Sequence, residues 1–159
     1  MKKTLILVIL SLACLGARAQ DYNWAFGVRG GFNDSGVTIK HILSDYNALE
    51  LCYNFQYGRD RLLRANVLSA LYEWNQPLFS DGFLFYYGFG AHVGGGTMTK
   101  EGSQNYGQIV LGAVGVVGIE YKLYSAPVAF SLDYRPFFNL LPIPQGFIGN
   151  AGLGVKVCF

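Results

Sequence analysis

From Tyr22 onward the chain alternates. Trp24, Phe26 and Val28 are large and apolar, whereas Ala25, Gly27 and Arg29 between them are small or charged. A period of two marks a strand with one apolar face. The pattern is clearest where Leu49, Leu51, Tyr53, Phe55 and Tyr57 alternate with Glu50, Cys52, Asn54 and Gln56. It recurs where Phe83, Phe85, Tyr87 and Phe89 oppose Leu84, Tyr86, Gly88 and Gly90, and where Val128, Phe130, Leu132 and Tyr134 oppose Ala129, Ser131, Asp133 and Arg135. Eight strands are expected, at 22–33, 37–43, 48–57, 62–74, 82–94, 108–122, 128–136 and 150–159. The fourth has ambiguous parity, because both faces are partly apolar around Leu68 and Leu71. Turn chemistry separates the strands at Asn33-Asp34-Ser35-Gly36, at Ser44-Asp45-Tyr46-Asn47, around Pro77, and at 139–145 with Pro142 and Pro144. The stretch 95–107 reads as the longest polar loop.

The last strand decides how the others are arranged. Ala151, Leu153, Val155, Val157 and Phe159 form an apolar face opposite Asn150, Gly152, Gly154, Lys156 and Cys158. An open apolar edge invites pairing with other chains. A closed barrel in a membrane removes that edge, because its last strand pairs with its first. An even strand count puts both termini on one side, and export across an inner membrane makes that side the periplasm. Aromatic residues then fall into two bands. Tyr22, Trp24, Tyr72, Trp74, Phe83, Tyr121 and Phe159 lie at periplasmic strand ends, and Phe32, Phe55, Tyr57, Tyr106, Phe137, Phe138 and Phe147 near outer ends. Amphipathic rings favour the headgroup zone, so two girdles suit a transmembrane barrel.

Composition agrees. Charged residues are only 14% and aromatics 16%, with 21 Gly. A soluble domain carries ~25% charge. No apolar run beyond the leader approaches the ~20 residues of a transmembrane helix. The leader itself is expected at 1–19, with basic Lys2 and Lys3, an apolar run from Leu5 to Leu15, and Ala17-Arg18-Ala19 as a small-x-small cleavage site before Gln20. Lipidation at Cys14 competes, but Ser11 stands where such sites want an aliphatic residue. Cleavage removes three of the 12 basic residues and none of the 10 acids, leaving nine against ten. The basic balance is thus largely the leader's, and net charge gives no support to a nucleic-acid partner. The fold class expected is all-β: a signal peptide at 1–19, then an eight-stranded antiparallel up-and-down transmembrane β-barrel at 20–159.

The expected inward face carries Arg29, Lys40, Arg135 and Lys156 against Glu50, Glu120 and Asp133, with Glu73 joining if odd positions of the fourth strand point in. Inward glycines (Gly27, Gly88, Gly90, Gly112, Gly118, Gly152, Gly154) leave room for long side chains. Balanced charge favours a hydrogen-bonded plug over a narrow ion path, because unpaired buried charge is costly. Cys52 and Cys158 fall on strands far apart and are expected as thiols.

With these features the chain resembles the small eight-stranded outer-membrane barrels of Gram-negative bacteria, outer membrane protein X and the outer membrane protein A barrel among them. The resemblance rests on the leader with Ala17-Arg18-Ala19-Gln20, the eight alternating strands and the terminal Phe159. It implies that the barrel-assembly machinery reads Phe159. The outer loops are short, whereas members that bind ligands or host proteins usually extend them.

Catalytic signals are sparse. His41 and His92 are the two histidines, and neither has a Ser two residues away on its strand. No metal-ligand spacing or phosphate loop occurs, so neither a metal nor a cofactor is expected. The expected function is a structural or surface barrel without catalysis. The alternatives are a lipid A-modifying hydrolase or acyltransferase of the outer membrane and a soluble lipocalin-like binding barrel. One further site is expected at an outer corner, where Arg59, Arg61 and Arg64 cluster. Guanidinium groups there could grip lipopolysaccharide phosphates through paired hydrogen bonds. A solvated polar loop is the plainer reading of the same residues.

Overall fold

Every alternating segment forms a strand, and the strands close on themselves. A computed structural model describes residues 23–57, 62–78, 82–100, 103–141 and 145–159. The expected leader, its cleavage site and Cys14 lie outside the described residues. The strands are β1 (Trp24–Gly31), β2 (Asp34–Ser44), β3 (Asn47–Tyr57), β4 (Leu62–Pro77), β5 (Phe83–Lys100), β6 (Ser103–Lys122), β7 (Val128–Leu141) and β8 (Gln145–Cys158). Each pairs antiparallel with the next, and β8 pairs with β1, giving a closed eight-stranded barrel. The seam is held to its end, where Trp24 N–H donates to Phe159 O at 3.1 Å and Phe159 N–H to Trp24 O at 2.9 Å.

The alternation is inverted relative to a soluble barrel. Outward positions are apolar, with Phe89 and Leu153 each 66% exposed, and inward positions hold most of the charge. In β4 the odd residues Ala65, Val67, Ser69, Leu71, Glu73 and Asn75 are buried, which settles the strand's parity. A soluble lipocalin-like barrel would show the opposite polarity, so that alternative lacks its basic requirement.

Outward rings gather at the end of the wall that carries both chain ends of the barrel. Phe83 and Tyr121 lie 4.4 Å apart, Tyr72 and Trp74 4.9 Å, and Trp24 stacks on His41 at 4.1 Å. Phe137 departs from the expected outer band. It continues the inward odd parity of Ser131, Asp133 and Arg135 and packs against the buried cluster of Cys52, Leu71, Tyr86, Val114 and Val116. The side chains of Tyr57, Tyr106 and Phe147, and all of Tyr22, lie outside the description.

The connections are tighter than the turn residues implied. Asp34, Ser35 and Gly36 already belong to β2, and β4 runs through Asn75 to Pro77. Gly82, at φ 88°, makes the bend into β5, a conformation that suits glycine. The expected loop at 95–107 is instead mostly ladder. Thr97 pairs with Gly107 and Met98 with Tyr106, so β5 and β6 reach 18 and 20 residues. Backbone pairing needs no apolar face, and side-chain alternation is therefore silent about such an extension. Residues 139–141, also expected as loop, continue β7.

Candidate functional site

Among the described residues, the barrel interior holds nine buried carboxylates and cations in one unbroken series. Asp34 sits 2.6 Å from Arg29, and Arg29 lies 2.7 Å from Asp133. Asp133 is 3.2 Å from Arg135, which is 2.9 Å from Glu50. Glu50 is 3.5 Å from Lys156, and Lys156 lies 2.9 Å from Glu120. Glu120 is 3.7 Å from Lys40, and Lys40 is 2.9 Å from Glu73. Acid and base alternate along the whole series, and its members come from β1, β2, β3, β4, β6, β7 and β8. All nine side chains are at most 5% exposed. The eight residues read from the sequence as an interior set are therefore brought together. Asp34 is a ninth that the sequence reading placed in a turn.

Uncharged groups complete the packing. Thr38 Oγ1 donates to Glu50 Oε1, and Lys40 Nζ to Asn75 Oδ1 at 3.3 Å. Tyr86, from β5, lies at the centre. Its hydroxyl donates to Asp133 Oδ2 at 3.1 Å, and its ring lies 4.7 Å from Lys40 Nζ and 5.5 Å from Lys156 Nζ. An aromatic face attracts cations, so the ring holds two ammonium groups that would otherwise repel. The interior is not wholly polar: Cys52, Leu71, Tyr86, Val114 and Val116 form a buried cluster. Arg135 Nη1 also meets Cys52 Sγ at 2.8 Å.

Small residues make room for the long ones. Gly152 lies beneath the Arg29 guanidinium, whose Cζ would be 2.6 Å from a Cβ there. Gly118 lies beneath Tyr86 in the same way, at 2.7 Å from Cζ. Charges reach across neighbouring strands because these positions carry no side chain.

The remaining candidates separate from this set. Cys52 and Cys158 are buried on β3 and β8 and are not joined in a disulfide. His41 is stacked on Trp24 on the outside, with Nδ1 at 2.9 Å from Asn23 O. His92 points inward, and its Nε2 lies 2.9 Å from Asn139 Oδ1. The register sets Ser69 directly opposite His92, a cross-strand pair that spacing along one strand could not reveal. Both are buried, and His92 engages Asn139 rather than the serine. Arg59 and Arg61 lie outside the described residues, as does the side chain of Arg64. Among the described residues no group of acids, cysteines and histidines could hold a metal ion.

Comparison with solved structures places this architecture. The chain is similar to the N-terminal β-barrel domain of Pseudomonas aeruginosa OprF, with a TM-score of 0.70, 20% identity, and coverage of 88% of this chain and 100% of that one. It is also similar to Neisserial surface protein A, with a TM-score of 0.59, 12% identity, and coverage of 86% of this chain and 94% of the other. Both likenesses are of fold, and they bear out the resemblance to small eight-stranded outer-membrane barrels. No family model matches the sequence, and no curated relative does.

Proposed function

We propose that this chain is an integral outer-membrane β-barrel whose interior is closed by its own side chains, and that it serves a structural or surface role without catalysis. The observation that carries this reading is the inverted polarity: an outward face of large apolar residues around a continuous series of paired charges. The likeness to a Neisserial surface protein and to a barrel domain of OprF supports it. Ser69 and His92 face a packed interior rather than bulk lipid, which counts against a lipid-modifying enzyme. Both termini lie in the periplasm in this reading.

The test is conductance in planar bilayers. The parent barrel is expected to give no steady porin-sized current, because no ion can enter without breaking buried pairs. Arg135→Ala, which removes the cation shared by Glu50 and Asp133, should open a measurable leak. Steady large conductance in the parent would end the closed-interior reading.

Assembly supplies a second test. In this reading the barrel-assembly machinery recognises the final strand through Phe159, whose ring is exposed beside the β1–β8 seam. Phe159→Ala is expected to lower the heat-modifiable, folded fraction in outer membranes. An unchanged folded fraction would remove Phe159 from that role.

A further inference from the structure

We infer that the interior stores one proton at neutral pH and that Glu73 carries it. The argument starts from the order of the charge series. It begins with Asp34 and ends with Glu73, so among the described buried residues five carboxyls meet four bases, Arg29, Lys40, Arg135 and Lys156. An alternating series with an acid at each end has one carboxyl too many. An uncompensated charge in such a setting is neutralised rather than left buried.

The contacts single out which carboxyl that is. Asp133 receives hydrogen bonds from Arg29, Arg135 and Tyr86. Glu50 receives them from Arg135 and Thr38, and Glu120 from Lys156 at 2.9 Å. Asp34, at the other end, takes a hydrogen bond of 2.6 Å from the Arg29 guanidinium. Glu73 is fully buried and differs from all of these. Its Oε2 approaches Lys40 Nζ to 2.9 Å, yet neither of its oxygens receives an aligned hydrogen bond. Lys40 is also divided, with Glu120 at 3.7 Å and Asn75 accepting its hydrogen bond.

The surroundings add a reason. The groups that face this end of the interior are Lys40 from β2, Glu50 from β3, Tyr86 from β5, Glu120 from β6 and Lys156 from β8, with Asn75 on Glu73's own strand. Arg135 and Asp133 of β7 act through Glu50. In the β3–β4 register Ala48 pairs with Glu73 and Glu50 with Leu71. Glu50 is therefore the inward diagonal neighbour of Glu73, and two carboxyls so placed hold one proton between them more readily than none. His92 cannot balance the series instead. It pairs with Ser69, four residues along β4 from Glu73 or roughly 13 Å.

Infrared spectroscopy of the folded barrel in detergent tests the assignment. At neutral pH the parent should show the carbonyl stretch of a protonated carboxylic acid. Glu73→Gln should abolish that band, and Asp45→Asn, at an exposed carboxylate outside the series, should leave it. The mobility of the folded barrel in native electrophoresis gives an independent readout: Glu73→Gln removes no charge, whereas Asp45→Asn removes one. A parent without the band, a band that survives Glu73→Gln, or a full charge shift in that variant would each overturn the assignment. So would a Glu73→Gln chain unable to fold, because an amide is the nearest neutral substitute for the protonated acid.

Discussion

Arg135→Ala is expected to destabilise the folded barrel by about 3–5 kcal/mol, the usual cost of removing one partner from a buried ionic pair. The guanidinium bridges Glu50 at 2.9 Å and Asp133 at 3.2 Å, so its loss cuts the charge series in its middle. Each half then holds one carboxyl more than it has cations, and only the half that contains Glu73 has the stored proton to offset it. Arg29 still serves Asp133, and Lys156 lies 3.5 Å from Glu50, so the damage is shared rather than confined to one site. Arg135→Lys should recover only part of the loss. An ammonium is a compact point charge and cannot present two nitrogens in the fixed plane that spans both acids. The measurement is a urea titration of the folded barrel followed by tryptophan fluorescence. If Arg135→Ala cost under about 1 kcal/mol, the pairs would behave as solvated surface bridges instead.

Much of this interior is legible in the sequence, because strand alternation assigns faces directly. Arg29, Lys40, Glu50, Glu73, Glu120, Asp133, Arg135 and Lys156 all fell on inward positions by counting in twos from apolar outward neighbours. Their pairing was not legible. Glu73 meets Lys40 across two strand boundaries, and that depends on register and stagger. Asp34 was missed because Asn33-Asp34-Ser35-Gly36 reads as turn chemistry, and a polar residue in a tight turn looks the same whether it points inward or outward. Tyr86 was read as inward but not as central, since an aromatic side chain among glycines gives no sign that it bridges charges. The β5–β6 extension was invisible for a different reason: Gly94, Gly95 and Gly96 pair by backbone alone.

Gly118 bears the second large effect, because of where Tyr86 has to go. The ladder sets Gly118 directly between Tyr86 on β5 and Asp133 on β7. Tyr86 must therefore cross β6 to place its hydroxyl 3.1 Å from Asp133 Oδ2, and it crosses over Gly118. A Cβ at that position would lie 2.7 Å from Tyr86 Cζ, 2.7 Å from Leu132 O and 2.8 Å from Asp133 Cβ. The carbonyl belongs to the ladder and cannot retreat, and the ring is held by the ammonium groups of Lys40 and Lys156. Gly118→Ala should therefore cost about 1–3 kcal/mol, as overpacking of a filled core does. Gly30→Ala is the control, since a Cβ there meets nothing within 4 Å, and it should stay within about 0.5 kcal/mol of the parent. Tyr86→Phe isolates the hydroxyl and should cost about 1 kcal/mol. The decisive variant is Gly118→Ala with Tyr86→Ala. Once the ring is gone the added methyl has space, so the double change should cost less than the sum of the two single ones. Strict additivity would mean that the methyl's cost comes from Leu132 O and Asp133 Cβ, and the crossing would then not be what requires glycine at position 118.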